Sequence, residues 1–161
     1  YDTRLEAELS LSIMSIQAVK GVEIGLGFKS AELFGSEVHD EIILKGEKFL
    51  RKTNRAGGIE GGISTGLPLI IRAAMKPIAT LMSPVQSVDL SKMKAVEARR
   101  ERSDFVAVPA CAVIAESMAA WTIAKLFLHK FGGDSMEETM DNYLNYVKKY
   151  FSRIKKNFAV K

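Results

Sequence analysis

The spacing of apolar and polar positions changes several times along this chain, and each change predicts an element. Thr3 and Glu6 have the spacing of a capping box, and Leu5, Leu9, Ile13 and Ile16 follow at helical intervals. Ala7, Leu9, Leu11 and Ile13 also alternate, but the Leu, Glu and Ala content favours a helix. In "GVEIGLGF", Val22, Ile24, Leu26 and Phe28 fall on one side, with Glu23, Gly25 and Gly27 on the other. That pattern predicts a half-buried strand whose glycines mark close packing or a close ligand. Leu67 to Pro77 predicts a second strand, ended by its proline. The polar stretch from Thr80 to Lys94 reads as loop with some extended structure.

Pro109 suits the first turn of a helix running to about Lys130. This helix is apolar nearly all round and rich in Ala and Ser, which predicts burial on most sides. "FGGD" stops it with glycines just past its end. Ser135 and Glu138 form a second capping box, and Met136, Met140, Tyr143, Val147, Phe151, Ile154 and Phe158 then trace one face. The order of elements predicts a mixed α+β pattern without βαβ alternation, and residues 1–161 read as a single domain with no internal repeat.

Composition adds boundaries. Apolar residues make up 47% and charged residues 26% of 161, enough for one domain with a core. A net charge of +4 is concentrated toward the C-terminus, at Lys148, Lys149, Arg153, Lys155, Lys156 and Lys161. The helix dipole favours cations there, and no aromatics alternate with them as a single-strand nucleic-acid platform requires. One cysteine, Cys111, excludes an intrachain disulfide and fits a reducing compartment such as the cytoplasm. No signal peptide or membrane span is expected, since Glu116 and Lys125 interrupt the most apolar segment. The first methionine is Met14, so the chain reads as a piece of something longer.

"NRAGGIEGGISTG", Asn54 to Gly66, holds five of the twelve glycines. It is neither a dinucleotide fingerprint nor a Walker A loop. Tight backbone packing and a ligand loop both remain open; a linker fits poorly between apolar runs containing Ile59 and Ile63. Lys76 and Thr80 follow the next strand, and Arg99, Arg100, Arg102 and Asp104 lie in "RRERSD". Exposed amides with Lys and Arg could hold phosphate groups. His39 and His129 are poor catalytic candidates, and with Cys111 they have no metal-ligand spacing. Trp121, the methionines and Cys111 are most simply core.

Three blocks, "SIQAVKGVEIGLGF", "NRAGGIEGGISTGLPLIIRAAMKP" and "RSDFVAVPACAVIAESMAA", together resemble chorismate synthase in order and spacing. The resemblance covers nearly the whole chain and corresponds to the C-terminal portion of that family, with the N-terminal portion absent. It implies a shikimate-pathway lyase that converts 5-enolpyruvylshikimate 3-phosphate to chorismate and phosphate by 1,4-anti elimination. The implied cofactor is reduced FMN. The implied fold is a β-α-β sandwich with helices packed between antiparallel sheets, assembled as a homotetramer without nucleic-acid or membrane partners.

The resemblance also implies residue roles. Flavin contacts would be Gln17, Ala18, Gly61, Lys76, Pro77, Ile78, Ala79, Thr80 and Arg102, with Asp104 near the flavin ring as the catalytic candidate. Many members carry His between that Arg and Asp, where this chain has Ser103. The family's two catalytic histidines and most of its substrate pocket belong to the absent portion, so the isolated chain is expected to lack lyase activity. Two readings compete with this one. The chain could be a non-catalytic anion-binding or assembly module, or residues 135–161 could form a basic nucleic-acid-binding helix.

Overall fold

The computed structural model describes residues 3–46, 48–78, 81–100 and 106–158, without the side chains of residue 151 and residues 153–158. Arg102, Asp104, Ala79 and Thr80 lie outside the described residues. The chain divides into two compact units, Tyr1–Met118 and Ala119–Lys161. Among the described residues the secondary structure is mixed α+β, with helices and four two-stranded antiparallel sheets.

In the first unit, α1 (Leu5–Met14) packs on β1 (Val19–Ile24). Leu9 and Ile13 are fully buried while Leu11 is 70% exposed, so the helical period governs and the alternation is incidental. Burial of each such side chain is worth roughly 1.5–3 kcal/mol. The expected capping box at Thr3 does not form. Arg4 is the N-cap, without a side-chain cap bond, and its guanidinium takes the Glu6 carboxylate. The Leu5 amide donates instead to the carbonyl of Gly62 at 2.9 Å, so a tertiary contact satisfies one of the orphan amides of the helix start.

β1 pairs antiparallel with β6 (Ile71–Met75), from Val19 opposite Met75 to Ile24 opposite Ile71. Both strands are shorter than the periodicity predicts. β1 stops at Ile24 because Gly25 turns left-handed at φ 61°, and the chain enters a 3-10 helix at Gly27–Glu32. Phe28 is therefore 81% exposed, and its amide donates to Glu23 at 2.9 Å. β6 starts late because the segment before it is tied to the glycine run: the Ile70 amide donates to the carbonyl of Gly57 at 3.1 Å.

Between them lie elements that the periodicity left unassigned. A short helix, α2 (Gly35–Val38), precedes a hairpin of β2 (Ile42–Lys45) and β3 (Lys48–Arg51). Ile42, Leu44 and Phe49 are 64%, 64% and 48% exposed, so this apolar hairpin covers no core within the described residues. A minimal hairpin follows, β4 (Ile59–Glu60) and β5 (Ile63–Ser64). The extended structure expected within Thr80 to Lys94 is β7 (Gln86–Asp89), which forms a further hairpin with β8 (Lys94–Glu97) from the end of that stretch onward. Its turn is held by Asp89, whose Oδ1 accepts from the Ser91 amide at 2.9 Å and the Lys92 amide at 3.1 Å.

α3 (Val108–Phe131) runs as predicted, with Pro109 in its first turn, and Gly132 just past its end at φ 50°. Its expected burial is not found. Val113 is 64%, Trp121 73% and Leu128 51% exposed, although Cys111 is buried. By length and composition α3 could cross a membrane. In the second unit, α4 (Met136–Phe158) begins at the expected capping box: the Glu138 amide donates to Ser135 Oγ at 3.1 Å. The Glu138 carboxylate reaches back to the Asp134 amide, one residue earlier than the motif requires. Phe127, Phe131, Tyr143 and Tyr146 interlock with ring centroids 4.7–5.6 Å apart, and the Lys130 ammonium sits 4.2 Å from the Tyr146 ring.

The accessible surface totals 13100 Å². A folded monomer of 17.7 kDa exposes about 7,900 Å². Exposed large apolar side chains, among them Phe28, Phe34, Trp121 and Met136, are part of that surface.

Candidate functional site

The two residues before β1 follow from how α1 ends. The Ser15 amide still closes on Leu11, and the Val19 amide closes on Ile16 at 3.1 Å. This tight reversal leaves Gln17 and Ala18 exposed and forces Ala18 to φ 65°. A left-handed alanine costs about 1–3 kcal/mol, so the surrounding turn must hold it. Part of that hold is visible: the Lys76 amide donates to the Ala18 carbonyl at 2.7 Å. Sheet register therefore brings Ala18 and Lys76, which the sequence separates widely, to one end of the β1–β6 pair.

Lys76, Pro77 and Ile78 continue beyond that end as an exposed segment. They border a cavity of about 240 Å³ whose walls are Met75 to Ile78 on one side and Val106 to Val108 on the other. Among the described residues Lys76 has no ion-pair partner. Among the described residues the cavity thus combines a cation without an ion-pair partner with an apolar wall. The three valine-and-alanine positions escaped sequence reading because their types carry no chemistry. Their adjacency to "RSD" was the available signal.

The glycine run serves two purposes. In its first half, backbone crosses backbone. A Cβ on Gly25 would lie 2.2 Å from the Arg55 carbonyl oxygen, and one on Gly57 2.3 Å from the Gly25 nitrogen. The Leu26 amide donates to the Arg55 carbonyl at 2.8 Å and the Gly25 amide to Ile70 at 3.0 Å. In its second half, Gly61 and Gly62 form the β4–β5 turn with φ of 58° and 86°, the signs of a type I′ hairpin. Gly61 is exposed, and nothing lies within 4 Å of where its Cβ would be.

Gly61 and Lys76 do not share a cavity within the described residues. Gly62 is bonded to Leu5 at the start of α1, whereas Ala18 follows its end, and a ten-residue helix spans about 15 Å. Arg99 and Arg100 are exposed at the end of the β7–β8 hairpin segment.

Asp40 was missed altogether. It is 7% exposed. Its Oδ1 accepts from the Arg55 amide at 2.7 Å and from the Thr53 hydroxyl, and its Oδ2 accepts from the Ala56 amide at 2.9 Å. Burial alone would raise this carboxyl, but the Thr53, Ala56 and Arg55 donors and the Arg51 charge together hold it below the usual carboxylate range. Glu23, held by the Phe28 amide and by Arg72, is likewise lowered. His39 is exposed just after α2, and His129 lies in the last turn of α3, so neither meets the cavity. Among the described residues no group of three or more His, Cys, Asp or Glu is placed to hold a metal ion.

Comparison with known proteins accounts for the three sequence blocks. The family model described as "Chorismate synthase" matches residues 1–128. The chain is 55% identical over 160 residues to the chorismate synthase of Desulforudis audaxviator, covering 99% of this chain and 40% of that protein. It is 48% identical over 154 residues to that of Aquifex aeolicus, covering 93% of this chain and 39% of that protein. A solved structure titled "Crystal Structure of Chorismate Synthase" superposes with a TM-score of 0.71 at 42% identity, over 92% of this chain and 37% of that one. The chain spans about two-fifths of the length of these curated relatives. With the family model matching well over half of its residues, this chain belongs to the chorismate synthase family.

Proposed function

We propose that this chain is the C-terminal portion of a lyase that converts 5-enolpyruvylshikimate 3-phosphate to chorismate and phosphate, and that it contributes much of the site for reduced FMN. The observation that carries this reading is the junction of Ala18 and Lys76 beside the Met75–Ile78 cavity. The residues present suit a flavin nucleotide. The Lys76 ammonium, without an ion-pair partner among the described residues, can meet an anion, the apolar wall a ring, and an open glycine turn a close backbone approach. Reduced flavin, when bound, would lend an electron as phosphate departs and take up the ring hydrogen afterwards, with no net redox change.

In this reading Lys76 holds a phosphate or a developing anion, and its donors are fixed before the charge appears. Pro77 and Ile78 line the same approach, Gln17 and Ala18 present backbone from the turn before β1, and Ala79 and Thr80 are assigned to the flavin by the family likeness alone. Arg102 adds a second cation, and Asp104 manages protons near the ring. Gly61, at the other end of α1, meets the flavin along its length or from a neighbouring protomer of a homotetramer. The uncovered apolar surface of α3 and of the β2–β3 hairpin is protein interface in this picture, closed by the remainder of a family-length chain into a β-α-β sandwich. The enzyme would then work in the cytoplasm.

FMN titration of a family-length enzyme carrying this sequence tests the reading. Lys76→Ala should weaken FMN binding, and an unchanged dissociation constant would overturn the flavin assignment. One observation favours the non-catalytic alternative for part of the chain: Gly25, Gly57 and Gly58 are explained by backbone packing alone. The turn geometry accounts for Gly61 in the same way, which leaves Lys76 beside the cavity to the flavin reading.

A further inference from the structure

Asp40 joins two parts of the structure that the proposed flavin site does not otherwise connect. Its carboxylate takes three donors from one short segment: the Thr53 hydroxyl, the Arg55 amide at 2.7 Å and the Ala56 amide at 2.9 Å. Its own carbonyl accepts from Arg51 Nη1 at 3.2 Å. The same Arg51 binds Glu60 at 3.0 Å through Nη1 and at 2.5 Å through Nη2. Glu60 is the residue before Gly61. Downstream of the cage, the Gly57 amide closes on the Asn54 carbonyl at 3.2 Å, and the Thr65 amide closes on Gly58 at 2.9 Å.

We propose that Asp40 is a positioning residue that sets the conformation of the Gly61–Gly62 turn, and through it the approach of backbone to the flavin. This rests on the reading of Gly61 as a flavin contact. The physical reason is the glycine content itself. Gly57, Gly58, Gly61 and Gly62 each have wide backbone freedom, so the run does not hold its own shape. A buried carboxylate that accepts two consecutive amides fixes the entry to the run. The Arg51–Glu60 bridge fixes the strand just before the turn. The two restraints meet at Asp40, one through its side chain and one through its carbonyl. Neither asks Asp40 to touch the ligand.

The experiment uses the family-length enzyme with FMN as the probe, well below the unfolding temperature of every variant. Asp40→Asn keeps the shape but puts an amide donor against a donor. It should raise the FMN dissociation constant roughly five- to hundredfold. It should also speed hydrogen exchange at the amides of Gly57 to Gly62 in the flavin-free protein. A folded Asp40→Asn variant with native FMN affinity overturns the inference. If that variant does not fold, Thr53→Val and Glu60→Gln take its place, each removing one link at a less buried position. Each should raise the dissociation constant roughly two- to tenfold, and native affinity in both overturns the inference. Lys76→Ala separates the two claims. If it weakens FMN while the Asp40 network variants do not, only the positioning role falls. If Lys76→Ala has no effect, the flavin reading falls, and the exchange data still decide whether Asp40 fixes the turn.

Discussion

The main-chain amide of Lys76 donates to the carbonyl oxygen of Ala18 at 2.7 Å, and this bond holds a left-handed alanine beside an exposed lysine. It makes a corner from the end of one strand and the reversal before the other. Lys76 borders a cavity whose other described walls are apolar, and a charge-assisted bond formed there is stronger than a neutral one.

Lys76→Ala in the family-length enzyme should weaken FMN binding by about 1–3 kcal/mol, the worth of a lost charge-assisted bond. Arg102→Ala should do the same if it supplies the second cation. Flavin fluorescence titration reads both, and unchanged affinity in both would remove the basis for the cofactor site.

The glycines should sort by their surroundings. Gly57→Ala drives a Cβ into the Gly25 backbone at 2.3 Å, which no side-chain adjustment relieves. It should cost at least about 2–3 kcal/mol and lower the thermal midpoint by several degrees. Gly61→Ala meets nothing within 4 Å and bears only the left-handed strain, about 1–2 kcal/mol. Thermal unfolding that ranks the two variants the other way would contradict the backbone crossing.

Asp40 makes stability depend on acid. Its carboxyl is lower in the folded protein than in the unfolded chain. The stabilisation is therefore complete above the unfolded value near 3.9 and is lost as pH falls through the folded one. Urea unfolding should show a gap between the parent and Asp40→Asn that is constant from about pH 7 to 5 and narrows below about pH 4. A gap that widens in acid would show that the carboxylate is not the stabilised form.

The isolated chain should show no lyase turnover with reduced FMN and should bind apolar dyes or self-associate. Val113, Trp121 and Leu128 on α3 are 64%, 73% and 51% exposed, and large apolar side chains clustered in this way favour association in water. A monodisperse, dye-silent monomer would mean that α3 finds cover within the chain. Light scattering and dye fluorescence distinguish the two.

Local patterns in the sequence were legible where they were sufficient. The period of Leu9 and Ile13, the proline of α3 and the Ser135 cap each act within a turn or two, and each gave its element. The Thr3 cap failed because Arg4 competes for Glu6 and Gly62 supplies a carbonyl from far along the chain. The β2–β3 hairpin was overlooked because its apolar residues show no one-sided alternation: both faces are exposed.

The sequence by itself determined the family, the three long helices α1, α3 and α4, the strands β1 and β6 in outline and the residue types that can meet an anion. Those are matters of composition and short-range spacing. Only the tertiary structure decided that Ala18 meets Lys76, that Gly25 passes against Gly57, and that Asp40 holds the entry to the glycine run. Each of these joins backbone groups, and a backbone amide or carbonyl is the same in every residue but proline. Its partner is chosen by register and crossing, which no side-chain pattern records.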